Sequence, residues 1–337
     1  MKTLFLHIII LASPFLIHSQ VRLNDLKIQL QKAEKFLYEQ QNKEGFFQDS
    51  TNALFNVWES IICMKALSID MTSSQFKTNG SLNKVFSWLK ANSNSNGLIC
   101  HNDKCKSSFC LETSALFLEL QSKFEPEISQ KRQFELIDSL QKNNGSWDVV
   151  NPDVQFDLDY PSVTAFLLNL NFNLNREFEG KEKAYDFLIH NLNPTDFWGS
   201  SWEYYGSPSY AIWQALPALS HEKSYQKTVD SLAQKISALQ LENGSWDFQK
   251  NRSIHCISVE LETAFILNAL IRLNKKDLLP IIEKGISYLQ KQQNSQGAWN
   301  GGYFPIPNQR YKKAEYLVCT ALVYETFSLY LKLVEND

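Results

Sequence analysis

The sequence predicts an all-α protein, an (α/α)6 toroid of six helical-hairpin repeats. Three observations carry that expectation. A turn combining glycine with an aromatic or large apolar residue recurs six times along the chain. An amphipathic segment leads into each turn, and a segment apolar on every side follows it.

The chain opens with a basic Lys2, an apolar run from Leu4 to Leu16, and Ile17-His18-Ser19 ahead of Gln20. A membrane-spanning helix needs about 20 apolar residues, and this run is shorter and contains Pro14. Residues 1–19 therefore read as a cleaved signal peptide, which makes the protein secreted or periplasmic. Residues 20–337 read as one toroid domain, with no transmembrane segment.

The six turns read QQNKEGFF (Gly45), ANSNSNGL (Gly97), LQKNNGSW (Gly145), NPTDFWGSSW (Gly199), LQLENGSW (Gly244) and LQKQQNSQGAW (Gly297). Successive glycines stand 52, 48, 54, 45 and 53 residues apart, so six units consume the whole chain and leave no second domain. Before the turns, Ala33, Phe36, Leu37 and Gln40 share one helical face, as do Leu232, Ile236 and Leu239. After the turns come ETSALFLEL (112–120), SVTAFLLNL (162–170), ETAFILNAL (262–270) and CTALVYETF (319–327), apolar all round. A half-polar helix alternating with a fully buried one describes an outer ring around an inner ring. Alanines 115, 165, 211, 264 and 321 leave room for neighbouring inner helices to approach. Six units of near-equal length favour a closed ring over an open superhelix.

Composition narrows the function. Lys plus Arg total 33 and Asp plus Glu 36, a net charge of −3, which gives no reason to expect nucleic acid as a partner. Aromatic residues at 13% allow a large core or an aromatic-lined cavity. Six cysteines in an exported chain suggest one disulfide within the cluster Cys100, Cys105 and Cys110. A zinc site including His101 is the weaker option, since paired CxxC knuckles are missing. Cys63, Cys256 and Cys319 read as buried apolar residues.

The turns LQKNNGSW and LQLENGSW carry a Q-x3-G-S-W pattern. It resembles the QW repeats of squalene–hopene and oxidosqualene cyclases, found in related form in protein prenyltransferase β-subunits. In those repeats Gln closes the outer helix, Gly takes the turn and Trp packs between units. The resemblance covers about residues 30–330 and implies the toroid fold. It further implies a squalene-cyclase-like protein that binds a small apolar, isoprenoid-like molecule. No cofactor and no metal follow from it, and association with a membrane surface is compatible with such a ligand.

Candidate acids stand where inner helices begin: Glu59, Glu112, Asp157, Asp159, Glu260, Glu262 and Glu315. A carboxyl in an apolar cavity is desolvated, which raises its pKa and makes it a proton donor. The same acids in a first helical turn also complement the helix dipole. Asp157-Leu158-Asp159-Tyr160 resembles the D-x-D-D-T-A motif of class II terpene cyclases, whose central Asp protonates an alkene or epoxide. The resemblance implies Asp159 as catalytic acid, supported by Asp157. Tyr160 replaces the last Asp, however, and Pro161-Ser162-Val163 separates it from Thr164-Ala165. That shift leaves a second geometry open, with Asp159 solvated in an outer loop. Tyr160, Trp58, Phe109, Tyr204, Tyr205, Trp213 and Phe265 are aromatic candidates for the substrate-binding wall, with Glu112 and Glu262 as polar ones.

Three functions fit these residues. A class II, proton-initiated terpenoid cyclase heads them. A non-catalytic, cavity-bearing binding or interaction toroid and a secreted carbohydrate-active (α/α)6 enzyme are the alternatives. The zinc, thioester and aspartate-rich motifs of the other toroid or isoprenoid enzymes do not occur in the chain. Export predicts a mature N-terminus at Gln20 and one oxidised cysteine pair, which intact mass and thiol counting under denaturing, non-reducing conditions would check. Retained residues 1–19 or six free thiols would refute it.

Overall fold

The structure, a computed structural model, describes residues 14–48, 55–149, 159–195, 197–198, 207–248, 257–304 and 315–335, with side chains from residue 23 onward. Most of the predicted signal peptide lies outside the described residues. Helices account for the described secondary structure, with only isolated β-bridges between loops. The inner ring consists of α2 (Asn56–Leu67), α5 (Leu111–Phe124), α7 (Pro161–Asn173), α9 (Ser209–Ser220), α11 (Val259–Arg272) and α13 (Leu317–Glu335). The outer ring consists of α1 (Pro14–Glu39), α4 (Gly80–Ala91), α6 (Lys131–Ser139), α8 (Lys181–His190), α10 (Gln226–Ala238) and α12 (Leu279–Gln292). A one-and-a-half-turn helix, α3 (Ser73–Thr78), precedes α4 and starts with a Thr72–Gln75 capping box.

Each inner helix packs on the next, and α13 packs on α2, so the ring is closed. The inner helices are buried on all sides, as their uniform apolarity predicts. By length and mean hydropathy alone α13 qualifies as a membrane span, contrary to the sequence reading that no such segment exists. Its neighbours α1, α2 and α11 account for most of that apolarity, because α13 is an inner-ring helix with two thirds of its apolar window buried. Leu239 departs from its expected face and is 49% exposed, because it stands just beyond the end of α10.

The repeated turn is a small hydrogen-bonded unit. In the third repeat Lys142 N–H donates to the Ser146 carbonyl and Gly145 N–H to the Lys142 carbonyl. Gln141 Nε2 donates both to its own turn, at the Gly145 carbonyl (3.0 Å), and to the Gly180 carbonyl ahead of the next outer helix (2.9 Å). Gln41, Gln240 and Gln293 repeat this bridge. The Gln293 bridge reaches Gln29 on α1, tying the last repeat to the first. Gly145 has φ of 90°, and a Cβ there would overlap the Lys183 carbonyl. The indole N–H groups of Trp147, Trp198, Trp246 and Trp299 each donate to a carbonyl ten residues back on the preceding outer helix (2.7–2.9 Å).

Trp198 corrects the register of the fourth turn. The expected turn glycine was Gly199, yet Asn193 N–H bonds the Phe197 carbonyl and Trp198 fills the buried indole position. The residue equivalent to the turn glycine is therefore Asp196, which lies outside the described residues.

Cys100 and Cys105 form the disulfide expected from the cysteine cluster, and Cys110 stays reduced and buried. Cys63 and Cys319 are buried thiols, and Cys256 lies outside the described residues. The Trp turns generate a stability prediction. Trp147→Ala and Trp246→Ala should each destabilise the fold by about 3–5 kcal/mol in denaturant unfolding, because both the indole volume and a buried hydrogen bond are lost. Unchanged midpoints would mean that the turns do not hold the ring.

Candidate active site

All inner helices begin at the same end of the ring, and there one carboxyl is set apart by its surroundings. Glu112 is the second residue of α5, after an extended Cys110 that offers no side-chain cap. Its carboxyl is received by the two following inner helices. Ser162 Oγ on α7 donates to Oε1 at 2.5 Å, and Tyr210 OH on α9 donates to Oε2 at 3.4 Å. Glu112 is 6% exposed. Burial lifts its pKa to about 7, and the two hydroxyl hydrogen bonds, which favour the charged form, only partly oppose that. A carboxyl of this kind is only partly ionised near neutral pH and is able to give up a proton.

The surroundings of Tyr210 are aromatic. Its ring lies 5.5 Å from Phe265, 5.7 Å from Trp213, 5.9 Å from Phe304 and 6.2 Å from Phe166. Trp58 closes on Phe304 at 5.7 Å. Trp213 is fixed in orientation by its indole N–H, which donates to Asn268 Oδ1 at 2.9 Å. The sequence candidates Trp58, Trp213 and Phe265 thus meet in one cluster next to Glu112. Phe109 is buried just ahead of α5, and Tyr160 is partly buried at the N-cap of α7. Asp157, Tyr204 and Tyr205 lie outside the described residues.

Two other candidate acids serve the backbone. Glu262 Oε2 accepts from Phe248 N–H at 2.7 Å, holding the chain that follows Trp246. Glu315 accepts from the Val318 and Cys319 N–H groups at the start of α13, the helix-capping role open to any first-turn acid. Glu59 is buried one turn ahead of Cys63 and contributes to the rise in that thiol's pKa, after burial itself.

Asp159 departs from the role implied by the cyclase resemblance. It pairs with Asp148 in a β-bridge beside the third turn, and its side chain is about a third exposed. Lys142 Nζ lies 2.5 Å from Oδ1, and Asn144 Nδ2 donates to Oδ2 at 2.8 Å. Partial burial opposes ionisation, but Lys142 and Asn144 outweigh it and hold the carboxyl below its usual range. An acid ionised this firmly has no proton to deliver at neutral pH. The three-residue insertion before Thr164 keeps Asp159 on the turn, where Lys142 reaches it.

Tyr210, Phe166 and Phe304 were not legible as site residues, because their partners are far away in sequence. Register supplies a usable signal for Ser162. Glu112 stands two residues before Ser114, and Ser162 stands two residues before Thr164, at matching places in successive inner helices. For Asp159→Asn the expected outcome is a loss of at most about 1 kcal/mol, the ordinary worth of a half-exposed ion pair. The wild-type advantage should vanish as pH falls through the carboxylate range, since a carboxylate with a depressed pKa stabilises only when ionised. Denaturant unfolding at pH 3 and pH 7 measures both.

No family model matches this sequence, and no curated protein matches it. Solved structures do share its fold. The type II terpene cyclase MstE from Scytonema is similar over 92% of this chain and 99% of its own, with a TM-score of 0.73 at 16% identity. The ent-copalyl diphosphate synthase from Streptomyces platensis is similar over 82% of this chain and 50% of its own, with a TM-score of 0.59 at 16% identity. A possible member of the GH105 family from Salmonella enterica is similar over 92% and 94%, with a TM-score of 0.58 at 12% identity. At such identities the likeness is one of fold. The chain has the all-helical toroid of the terpene cyclases.

Proposed function

We propose that the protein is a proton-initiated, class II terpenoid cyclase whose acid is Glu112. The observation that carries this reading is a carboxyl buried among hydroxyls and aromatic rings, with its pKa raised to about 7. In this scheme Glu112 gives its proton to a terminal alkene carbon of an apolar isoprenoid. The cation left on the more substituted carbon is attacked by the next double bond, and ring closure moves the charge along the chain. Loss of a proton from the last cation to water completes an isomerisation, so substrate and product share one formula, and solvent returns a proton to Glu112. Ser162 and Tyr210 hold the carboxyl in place and stabilise the carboxylate left after transfer. The faces of Trp213, Tyr210, Phe265 and Phe304 stabilise the migrating charge.

MstE, with the same fold, has been crystallised with geranylgeranyl dihydroxybenzoate as substrate and merosterolic acid A as product, which supports an isoprenoid ligand. Export completes the proposal, and the Cys100–Cys105 disulfide suits an oxidising compartment.

The test incubates the purified protein with geranylgeraniol, squalene and oxidosqualene in D2O and seeks cyclic products by mass spectrometry. A cyclic product one mass unit heavier than its substrate is expected, because the donated hydrogen comes from the exchanged carboxyl. Glu112→Gln should lower turnover by at least about 10²–10³-fold. It should also remove a pH dependence of folding. A carboxyl with a raised pKa stabilises while protonated, so wild-type stability should fall by about 3 kcal/mol as pH rises from 5 to 8. A fully active Glu112→Gln variant would overturn the assignment.

A further inference from the structure

At the end of the ring opposite Glu112, where the inner helices α2, α5, α7, α9 and α11 finish, a second site is built from polar residues. A cavity of about 390 Å3 opens there, lined by Lys65, Glu119, Lys123, Arg272 and Glu325 over an apolar wall that includes Leu120 and Leu329. A recess with room for about one water continues it inward to Gln214 and Phe166. All six inner helices contribute to the two spaces.

The charges inside are paired in a chain. Lys65 lies 3.2 Å from Glu119 and 4.0 Å from Glu325, and Arg272 lies 3.0 Å from the same Glu325 oxygen. Asn173 donates to the other Glu119 oxygen at 3.0 Å. Lys123 donates to the Ser68 and Ile69 carbonyls, which answers the negative ends of the helices. Burial and the neighbouring Lys332 both press the Lys123 ammonium toward losing its charge.

What remains unfilled is donor capacity. Gln214 is 2% exposed, and its carbonyl oxygen accepts from Asn169 at 2.9 Å. Its amide nitrogen, which carries two N–H donors, has no partner among the described residues. Leaving such a group unmet in the interior costs about 1–3 kcal/mol. Arg272 gives one of its five N–H groups to Glu325. His221, pushed down to about 4 by burial and by Arg272, is uncharged and donates Nε2–H to Asn169 Oδ1 at 2.9 Å, so it adds no positive charge. Three cations, Lys65, Lys123 and Arg272, face two carboxylates, Glu119 and Glu325.

We propose that this basal cavity binds a small organic acid, a carboxylate or phosphate head on a short apolar body, through Lys65, Lys123 and Arg272, with the amide of Gln214 reached through one water in the recess. The head supplies acceptor oxygens to the spare donors and offsets the excess positive charge, while the body lies against Leu120 and Leu329. The site shares no polar group with Glu112, so it stands or falls independently of the cyclase reading.

Calorimetric titration of the full chain with sodium benzoate and with phenyl phosphate, at matched ionic strength in chloride, tests the proposal. Saturable binding of at least one acid, with one site per chain, is expected. Preference for benzoate identifies a carboxylate site, and preference for phenyl phosphate a phosphate site. Lys123→Met removes a rim cation, and Gln214→Glu replaces the spare donor with negative charge. Each should weaken binding at least tenfold while the circular dichroism spectrum stays unchanged. Should Gln214→Glu fail to fold, Lys123→Met alone decides. No saturable binding of either acid, tighter binding of spermidine, or affinities untouched by the variants would overturn the proposal.

Discussion

The ring depends on one repeated hydrogen-bonded clamp. A glutamine amide ties its own turn to the neighbouring outer helix, while a buried indole N–H ties the turn back to the helix before it. Neither contact is strong alone, since a net hydrogen bond is worth about 1 kcal/mol. Their effect comes from repetition and closure. Each clamp fixes the angle between consecutive hairpins, and the Gln293 bridge to Gln29 makes the last angle consistent with the first. Once the angles are set, all inner helices run in one direction. Their N-termini gather at one mouth and five of their C-termini at the other.

That polarity places the chemistry. A residue near the start of an inner helix faces the starts of its neighbours, so Glu112, Ser162 and Tyr210 meet although up to 98 residues separate them. At the opposite end the same logic gathers Lys65, Lys123 and Arg272 near the helix carbonyls that suit cations. The contrast between Glu112 and Asp159 shows how environment divides two carboxyls. One is buried beside hydroxyls and rings, and burial raises its pKa to about 7. The other meets an ammonium group within 2.5 Å and loses its proton. Carboxyls whose environments push their pKa values apart have different roles available to them.

The toroid was legible because its signals are local and repeated: a glycine with φ near 90°, an adjacent apolar anchor, and helices apolar on every side. The fourth turn misled because Gly199 and two tryptophans offered two registers, and only the buried indole of Trp198 distinguishes them. The acid was harder to read. Asp159 sits in the more suggestive motif, but its fate is set by Lys142, seventeen residues earlier and brought alongside by the turn. Glu112 looked like any first-turn acid. Its pKa is raised by burial in the assembled ring, and its hydroxyl partners come from two other repeats; a linear motif encodes neither.

The aromatic cluster gives Glu112 its meaning. An ionised carboxylate next to so much apolar surface is poorly solvated, which raises its pKa and favours the neutral acid relative to an exposed carboxyl. In the proposed reaction, transfer to an alkene would create charge of both signs in one step. The carboxylate would keep two hydroxyl donors already in position, and a cation would meet ring faces held in place, Trp213 by its hydrogen bond to Asn268. Fixed partners of this kind need no rearrangement at the moment of reaction, which is the source of electrostatic catalysis. The same rings without the acid would be ordinary buried core, and the acid without the rings an ordinary buried glutamate. Their meeting at the convergence of α5, α7 and α9, enforced by the closed ring, is the arrangement on which the proposed cyclase chemistry rests.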